Sequence, residues 1–164
     1  MVAHVRIGTS TRLSQDEQKI VAEIARARYG HDRKMGMLDF KIGKQSNHET
    51  DLEGYAGEFA FCKVFNTFPC FARSRLDHQG DTMLGEYRID VKTTSHVNGH
   101  LIRFIGKHDS VDYFALMVGS FPCYEFKGFM GASDLLQPRR VMDFGYGKNA
   151  YAARQDELVE CIDE

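Results

Sequence analysis

The spacing of apolar positions changes once along the chain, from a helical repeat in the first part to strict alternation in the second. In "STRLSQDEQKIVAEIARARYG", Ser14 and Glu17 have the spacing of a capping box, and Ile20, Val21, Ile24 and Ala27 or Arg28 recur at helical spacing. Gly30 reads as the stop of this helix, and Lys19, Arg26 and Arg28 as its polar side. The polar stretch "GKQSNHETDLEG" reads as a loop. A second helix is expected in "YAGEFAFCKVFN", with Ala56, Phe59, Ala60 and Val64 turned toward a core and Gly57 weakening the pattern.

After this the period is two. "CFARS", "DTML", "EYRIDVKTT", "YFALMVG" and "CYEFKGFM" are short strands separated by turn residues, and Leu84, Gly85 and Glu86 sit where a tight hairpin joins the second to the third. "YFALMVG" is apolar on both faces and is expected at the centre of the sheet. "HLIRFIG" is a strand or the edge of a loop. "ASDLLQP" predicts a short helix with Ser133 as N-cap and Pro138 as terminator, and "NAYAARQDELVE" a last strand running into an acidic tail.

The third strand raises a chemical question. Ile89 and Val91 share one face, while Arg88, Asp90, Lys92 and Thr94 share the other. An isolated D-x-K is ordinarily a solvated strand face, and Glu58 alone is ordinarily a surface residue. Asp81, at the start of the preceding hairpin strand, can bring a second carboxylate onto the face of Asp90. Carboxylates, a backbone carbonyl and waters are the ligands Mg²⁺ selects, and a neighbouring lysine can orient a water or balance charge on a phosphate.

Composition narrows the frame. At 164 residues, 43% hydrophobic and 27% charged, the chain predicts one core and no second domain. Its longest uncharged run, "YFALMVGSFPCY", is shorter than the roughly 20 residues of a spanning helix, and no apolar leader is expected. Cys62, Cys70, Cys123 and Cys161 form no C-x-x-C pair, which predicts mostly buried thiols in a reducing, cytoplasmic setting. The net charge of −2 divides into +3 over residues 1–50 (9 Lys/Arg, 6 Asp/Glu) and −5 over residues 51–164 (12 against 17), so a nucleic acid would have to be held by a local patch and metal ions. "HVNGH" has the spacing of a zinc pair, but Asn98 and Gly99 argue for a loop, and "GYGKNA" reads as a turn and not a phosphate loop.

"GEFAF" with Glu58, "GD" with Asp81 and "DVK" with Asp90 and Lys92, in the order helix, strand, strand, resemble the PD-(D/E)xK nuclease superfamily, in particular its small phage-type and resolvase-type members. The likeness spans about residues 54–118; Gly80 stands where the motif has proline, and Asp77 competes with Asp81 as the first acid. It implies an α/β fold with a restriction-endonuclease-like αβββαβ core and a central mixed sheet flanked by helices. A helical extension would occupy residues 1–53, the catalytic core 54–138, and a C-terminal strand and acidic tail 139–164.

It further implies Mg²⁺, with Mn²⁺ able to substitute, held by Asp81, Asp90, the carbonyl of Val91 and Glu58. Lys92 would position or activate the water, and Glu58 would complete the metal shell or hold water and lysine in place. The expected partners are DNA, contacted by Arg26, Arg28, Arg33, Lys34, Thr94 and His96, and a second copy in a homodimer, with no membrane involved. The expected activity is a structure-selective or junction-type endonuclease, in a host cytoplasm if phage-encoded. A non-catalytic nucleic-acid or protein-binding module on the same fold and an RNA nuclease are the alternatives.

Overall fold

A computed structural model describes residues 4–34, 47–70, 80–106, 110–145 and 147–162, with backbone alone at 31–33 and 47. Strand β1 (Ser10–Arg12) leads into helix α1 (Gln15–Lys34), and helix α2 (Asn47–Phe65) follows. Then come β2 (Thr82–Leu84), β3 (Tyr87–Thr94), β4 (Leu101–Phe104), β5 (Tyr113–Ser120), β6 (Cys123–Gly131), the short helix α3 (Ala132–Leu135), β7 (Val141–Asp143) and β8 (Asn149–Ala153). One sheet has the order β1-β6-β5-β3-β2, with β3 and β5 parallel and its other pairs antiparallel; a second has the order β4-β8-β7. The protein is thus a mixed α/β fold, with "YFALMVG" as the central strand.

The start of α1 follows the sequence: Ser14 N donates to Glu17 Oε2 at 2.6 Å and Glu17 N to Ser14 Oγ at 3.2 Å. Its end does not, because α1 passes through Gly30 to Lys34. Just before Gly30, Tyr29 packs edge-on against His48 of α2, ring centroids 5.8 Å apart, which holds this part of α1 against α2 where an interior glycine costs roughly 1 kcal/mol. The second helix begins eight residues before Tyr55, inside the stretch expected to be a loop. Glu53 explains part of that: its carboxylate accepts the Tyr124 hydroxyl at 2.6 Å and the Phe121 N–H at 3.1 Å, fastening the early turns to β6 and the turn before it.

Both faces of the large sheet are covered. On one side α1 and α2 bury Val21, Ala56, Ala60, Phe61 and Phe65 against Ile89, Val91, Phe126 and Phe129. On the other, Phe114, Leu116, Met130 and Leu135 pack with Leu101, Ala153 and Leu158. The residues expected as a helical N-terminal extension also supply a strand, β1, to the large sheet, and the expected C-terminal strand is present as β8, the middle strand of the small one.

Other expectations are corrected or fall elsewhere. "HLIRFIG" contains a strand, β4. Gly131, not Ser133, caps α3, without a side-chain bond, and Pro138 opens a 3₁₀ turn (Pro138–Arg140). In the acidic stretch, Asp156, Glu157 and Glu160 face solvent while pairing with Arg154, Arg140 and His4, and Asp163 and Glu164 lie outside the described residues. Only Cys62 is buried; Cys70, Cys123 and Cys161 are exposed. The "CFARS" strand and Asp77 lie almost wholly outside the described residues. Between β3 and the parallel β5 the described chain forms β4 and no helix, so the αβββαβ order is not reproduced there. No described helix is long and apolar enough to cross a membrane.

Candidate active site

The hairpin places the first acid. Strands β2 and β3 turn at Gly85, whose φ is 63°, and pair Thr82 with Ile89. Just before β2, Gly80 has φ +81° and a Cβ there would lie 2.8 Å from the Ile89 carbonyl oxygen. Glycine is required at that approach, and proline, locked near −65°, could not adopt it. The tight entry lets Asp81 N donate to Ile89 O at 2.8 Å and sets its carboxylate to accept the Val91 N–H at 2.7 Å. In an antiparallel pair a residue turns its N–H and its C=O toward the same neighbour, so the Val91 carbonyl faces the same edge.

The opposite face of β3 is exposed at Arg88 and buried at Asp90. Asp90 is 8% exposed, and half-buried Lys92 forms an ion pair with it, its ammonium 6.0 Å from the Phe114 ring centroid. Asp90 Oδ1, buried and ion-paired, makes no well-directed hydrogen bond. Glu58 approaches from α2, whose contact with β3 depends on Gly57. A Cβ at Gly57 would fall 1.9 Å from Thr93 Oγ1, so only glycine lets the helix lie this close.

Electrostatics mark this group off from the rest of the surface. Burial, then repulsion from Glu58 and Asp90, lifts Asp81 well above its ordinary pKa; Lys92 and the Val91 N–H oppose this. Glu58 is raised by burial and by Asp90, with Arg28 and Lys92 pulling the other way. For Lys92 burial disfavours the charge, but Asp90 and Asp81 outweigh it and the pKa rises, so the lysine is an ammonium near neutral pH. The oxygens of Glu58, Asp81 and Asp90 do not all lie within 4.8 Å of one another, so in this arrangement one cation does not touch all three.

Two arginines join this group that the sequence reading did not place there. Arg28, expected on the polar face of α1 as a DNA contact, turns inward instead. Its Nη1 lies 3.3 Å from Glu58 Oε2, its guanidinium sits 4.4 Å from the Tyr55 ring centroid, and Nη2 donates to Cys70 O at 3.0 Å. Cys70 N in turn donates to Asp81 O at 3.1 Å. A signal existed, since Arg28 falls four residues after Ile24 on the apolar stripe. Arg103 of β4 is 2% exposed and near enough to lower the Lys92 pKa. Its signal was a lone charge in the apolar run "HLIRFIG".

The remaining expected contacts are scattered. Arg26 is exposed and paired with Glu23 at 2.7 Å, Lys34 is exposed at the end of α1, and the Arg33 side chain lies outside the described residues. Thr94 is half-buried and accepts the His96 N–H at 3.2 Å. His96 and His100 flank a turn closed by Gly99 N to His96 O at 2.8 Å, not a helical zinc pair. Within "GYGKNA", Lys148 N donates to Gly145 O at 3.0 Å in a turn before β8, as expected, Asn149 and Ala150 open β8, and Tyr146 lies outside the described residues. No protein-family model, curated protein or solved structure matches this chain.

Proposed function

We propose that the protein is a Mg²⁺-dependent nuclease that hydrolyses phosphodiester bonds in DNA. The reading rests on one observation: Asp81 at the entry to β2, Asp90 and Lys92 on β3 and Glu58 on α2 come close enough to act on one another's protonation, and burial with mutual repulsion raises the Asp81 and Glu58 carboxyls. Oxygen donors fit a hard divalent ion, and Asp90 Oδ1, buried with Lys92 as its ion-pair partner, is an oxygen of the kind such a cation binds. Asp81, Asp90 and the Val91 carbonyl would hold the metal.

Bound there, Mg²⁺ or Mn²⁺ supplies positive charge against the negative charge that grows on the phosphate. Lys92, kept protonated by Asp90 and Asp81, orients the water for in-line attack and faces the developing charge. As an ammonium it does not take the proton, so the positioning half of its expected role is the one the electrostatics favour. Glu58 holds the surroundings of Lys92 from the α2 side, and Arg28 opposes the rise of the Glu58 pKa. Arg26, Lys34, Thr94 and His96 contact the backbone of the nucleic acid. One domain carries one such group, so a junction-type or structure-selective endonuclease would act as a homodimer.

The test is incubation of the protein and its Lys92→Ala variant with supercoiled plasmid, linear duplex, single strands, RNA and a four-way junction, each with Mg²⁺ or EDTA. Metal-dependent cleavage by the wild type, reduced about 10²-fold or more in the variant, is expected. Binding without cleavage under every condition would leave a non-catalytic binding module in its place, and cleavage confined to RNA would make the protein a ribonuclease.

A further inference from the structure

We propose a second metal site, for Zn²⁺ or a similar borderline ion, built from His4, Glu160 and Cys161. His4 Nδ1 lies 2.9 Å from Cys161 Sγ, His4 Nε2 lies 3.2 Å from Glu160 Oε1, and one ligand atom from each of the three falls within 4.8 Å of the other two. These residues are on segments that take no part in the acid cluster of β2, β3 and α2.

The backbone supports the site before any ion arrives. Both ligand segments are fastened to the same strand, β6. The stretch carrying His4 is tied by Gly8 N to Phe126 O at 2.8 Å and Phe126 N to Thr9 O at 2.9 Å. The stretch carrying Glu160 and Cys161 is tied by Phe129 N to Val159 O at 2.8 Å and the reciprocal bond at 2.9 Å. Buried Leu158 and Ile162 anchor it on either side, and Glu160 Oε2 accepts the Ile7 N–H at 3.0 Å, joining the two segments directly.

The donor set selects the ion. A thiolate, an imidazole nitrogen and a carboxylate oxygen suit Zn²⁺ and Co²⁺, whereas Mg²⁺ and Ca²⁺ take oxygen. With bonds of about 2.3 Å to sulfur and about 2.0 Å to nitrogen and oxygen, tetrahedral ligand atoms stand roughly 3.5 Å apart. The sulfur and Nδ1 need to open by only about half an ångström, and the Glu160 oxygen to leave Nε2 for the metal. The His4 and Glu160 side chains are 63% and 39% exposed, which gives them room to do so and leaves the fourth position to water. Without an ion the three groups satisfy one another; with one, the cation replaces the thiol proton and cross-links the segment before β1 to the segment after β8.

The experiment is a Co²⁺ titration of chelator-treated, reduced protein, followed by the thiolate-to-cobalt charge-transfer absorption in the near ultraviolet, then displacement by Zn²⁺. The absorption should saturate at one equivalent and disappear in Cys161→Ser. It should weaken at least several-fold in apparent affinity in His4→Ala and Glu160→Gln, and persist in Cys70→Ser, Cys123→Ser and Asp81→Asn. Zn²⁺ should raise the melting temperature of the wild type and of Asp81→Asn, and not that of Cys161→Ser. Circular dichroism of the metal-free variants separates loss of the site from loss of the fold. No charge-transfer band, or a band that survives Cys161→Ser, overturns the proposal. Neither outcome depends on nuclease activity, since Asp81→Asn keeps this site and removes the other.

Discussion

Two groups of opposite charges in this protein use the same side chains and behave oppositely. Around the 3₁₀ turn after β8, Arg154 grips Asp156 at 2.9 Å, and Arg140 meets Glu157 at 3.1 Å. There the partner arginines, with the Arg154 N–H on Glu157, lower both carboxyl pKa values. Between α2, β2 and β3, Lys92 and Arg28 face Glu58, Asp81 and Asp90, yet Glu58 and Asp81 are raised. In water a counter-charge sets the direction of the shift; where the carboxyls are buried, desolvation sets it and the cations only soften the result. The buried group is therefore held at a cost to the fold, which is where a ligand that brings charge has most to offer.

Removing a charge from the buried group tests this most strongly. Arg28→Met should destabilise the protein by about 3 kcal/mol in urea unfolding, because it leaves Glu58 buried beside Asp90 without its counter-charge. The loss should deepen as pH rises through the carboxylate range, and Arg28→Met with Glu58→Gln should recover much of it. A loss unchanged in the double variant would mean that Arg28 acts by packing on Tyr55 alone. Moving the helix instead of the charge comes next. Gly57→Ala should cost about 1–3 kcal/mol, read as a fall in melting temperature, since Thr93 must yield or α2 must lift from β3.

The third change should work in the other direction. Asp81 has a folded pKa raised above its unfolded value, so its contribution favours the folded state below the ordinary carboxylate pKa and is lost as pH rises through the raised one. At neutral pH without metal, Asp81→Asn should therefore raise the melting temperature, and Mg²⁺ should stabilise the wild type but not the variant. A variant less stable than the wild type in EDTA would contradict this account. At the exposed group, Arg154→Ala should leave the melting temperature unchanged within error, since its ion pair is fully in water. A clear fall would show that the two groups differ less than their surroundings suggest.

Much of this was legible in the chain because it rests on neighbours a few residues apart. The capping box at Ser14 and Glu17, the hairpin at Gly85 and the alternation of Asp90 and Lys92 with Ile89 and Val91 need only local geometry. Where reading failed, a distant contact had overruled a local preference. Gly30 lies inside a helix whose neighbouring Tyr29 meets His48 of α2, and α2 starts early with Glu53 serving β6. Arg28 left the polar face because Glu58 and Tyr55 lie across from it.

By itself the sequence determined the start of α1, the hairpin of β2 and β3 and the central place of β5, since these follow from periodicity and turn chemistry. The tertiary structure alone decided that Asp90 is buried, that Arg28 and Arg103 belong beside the acid group, and that His4 meets Cys161. Burial and charge proximity depend on which segments far apart in sequence pack together, and no local spacing carries that information.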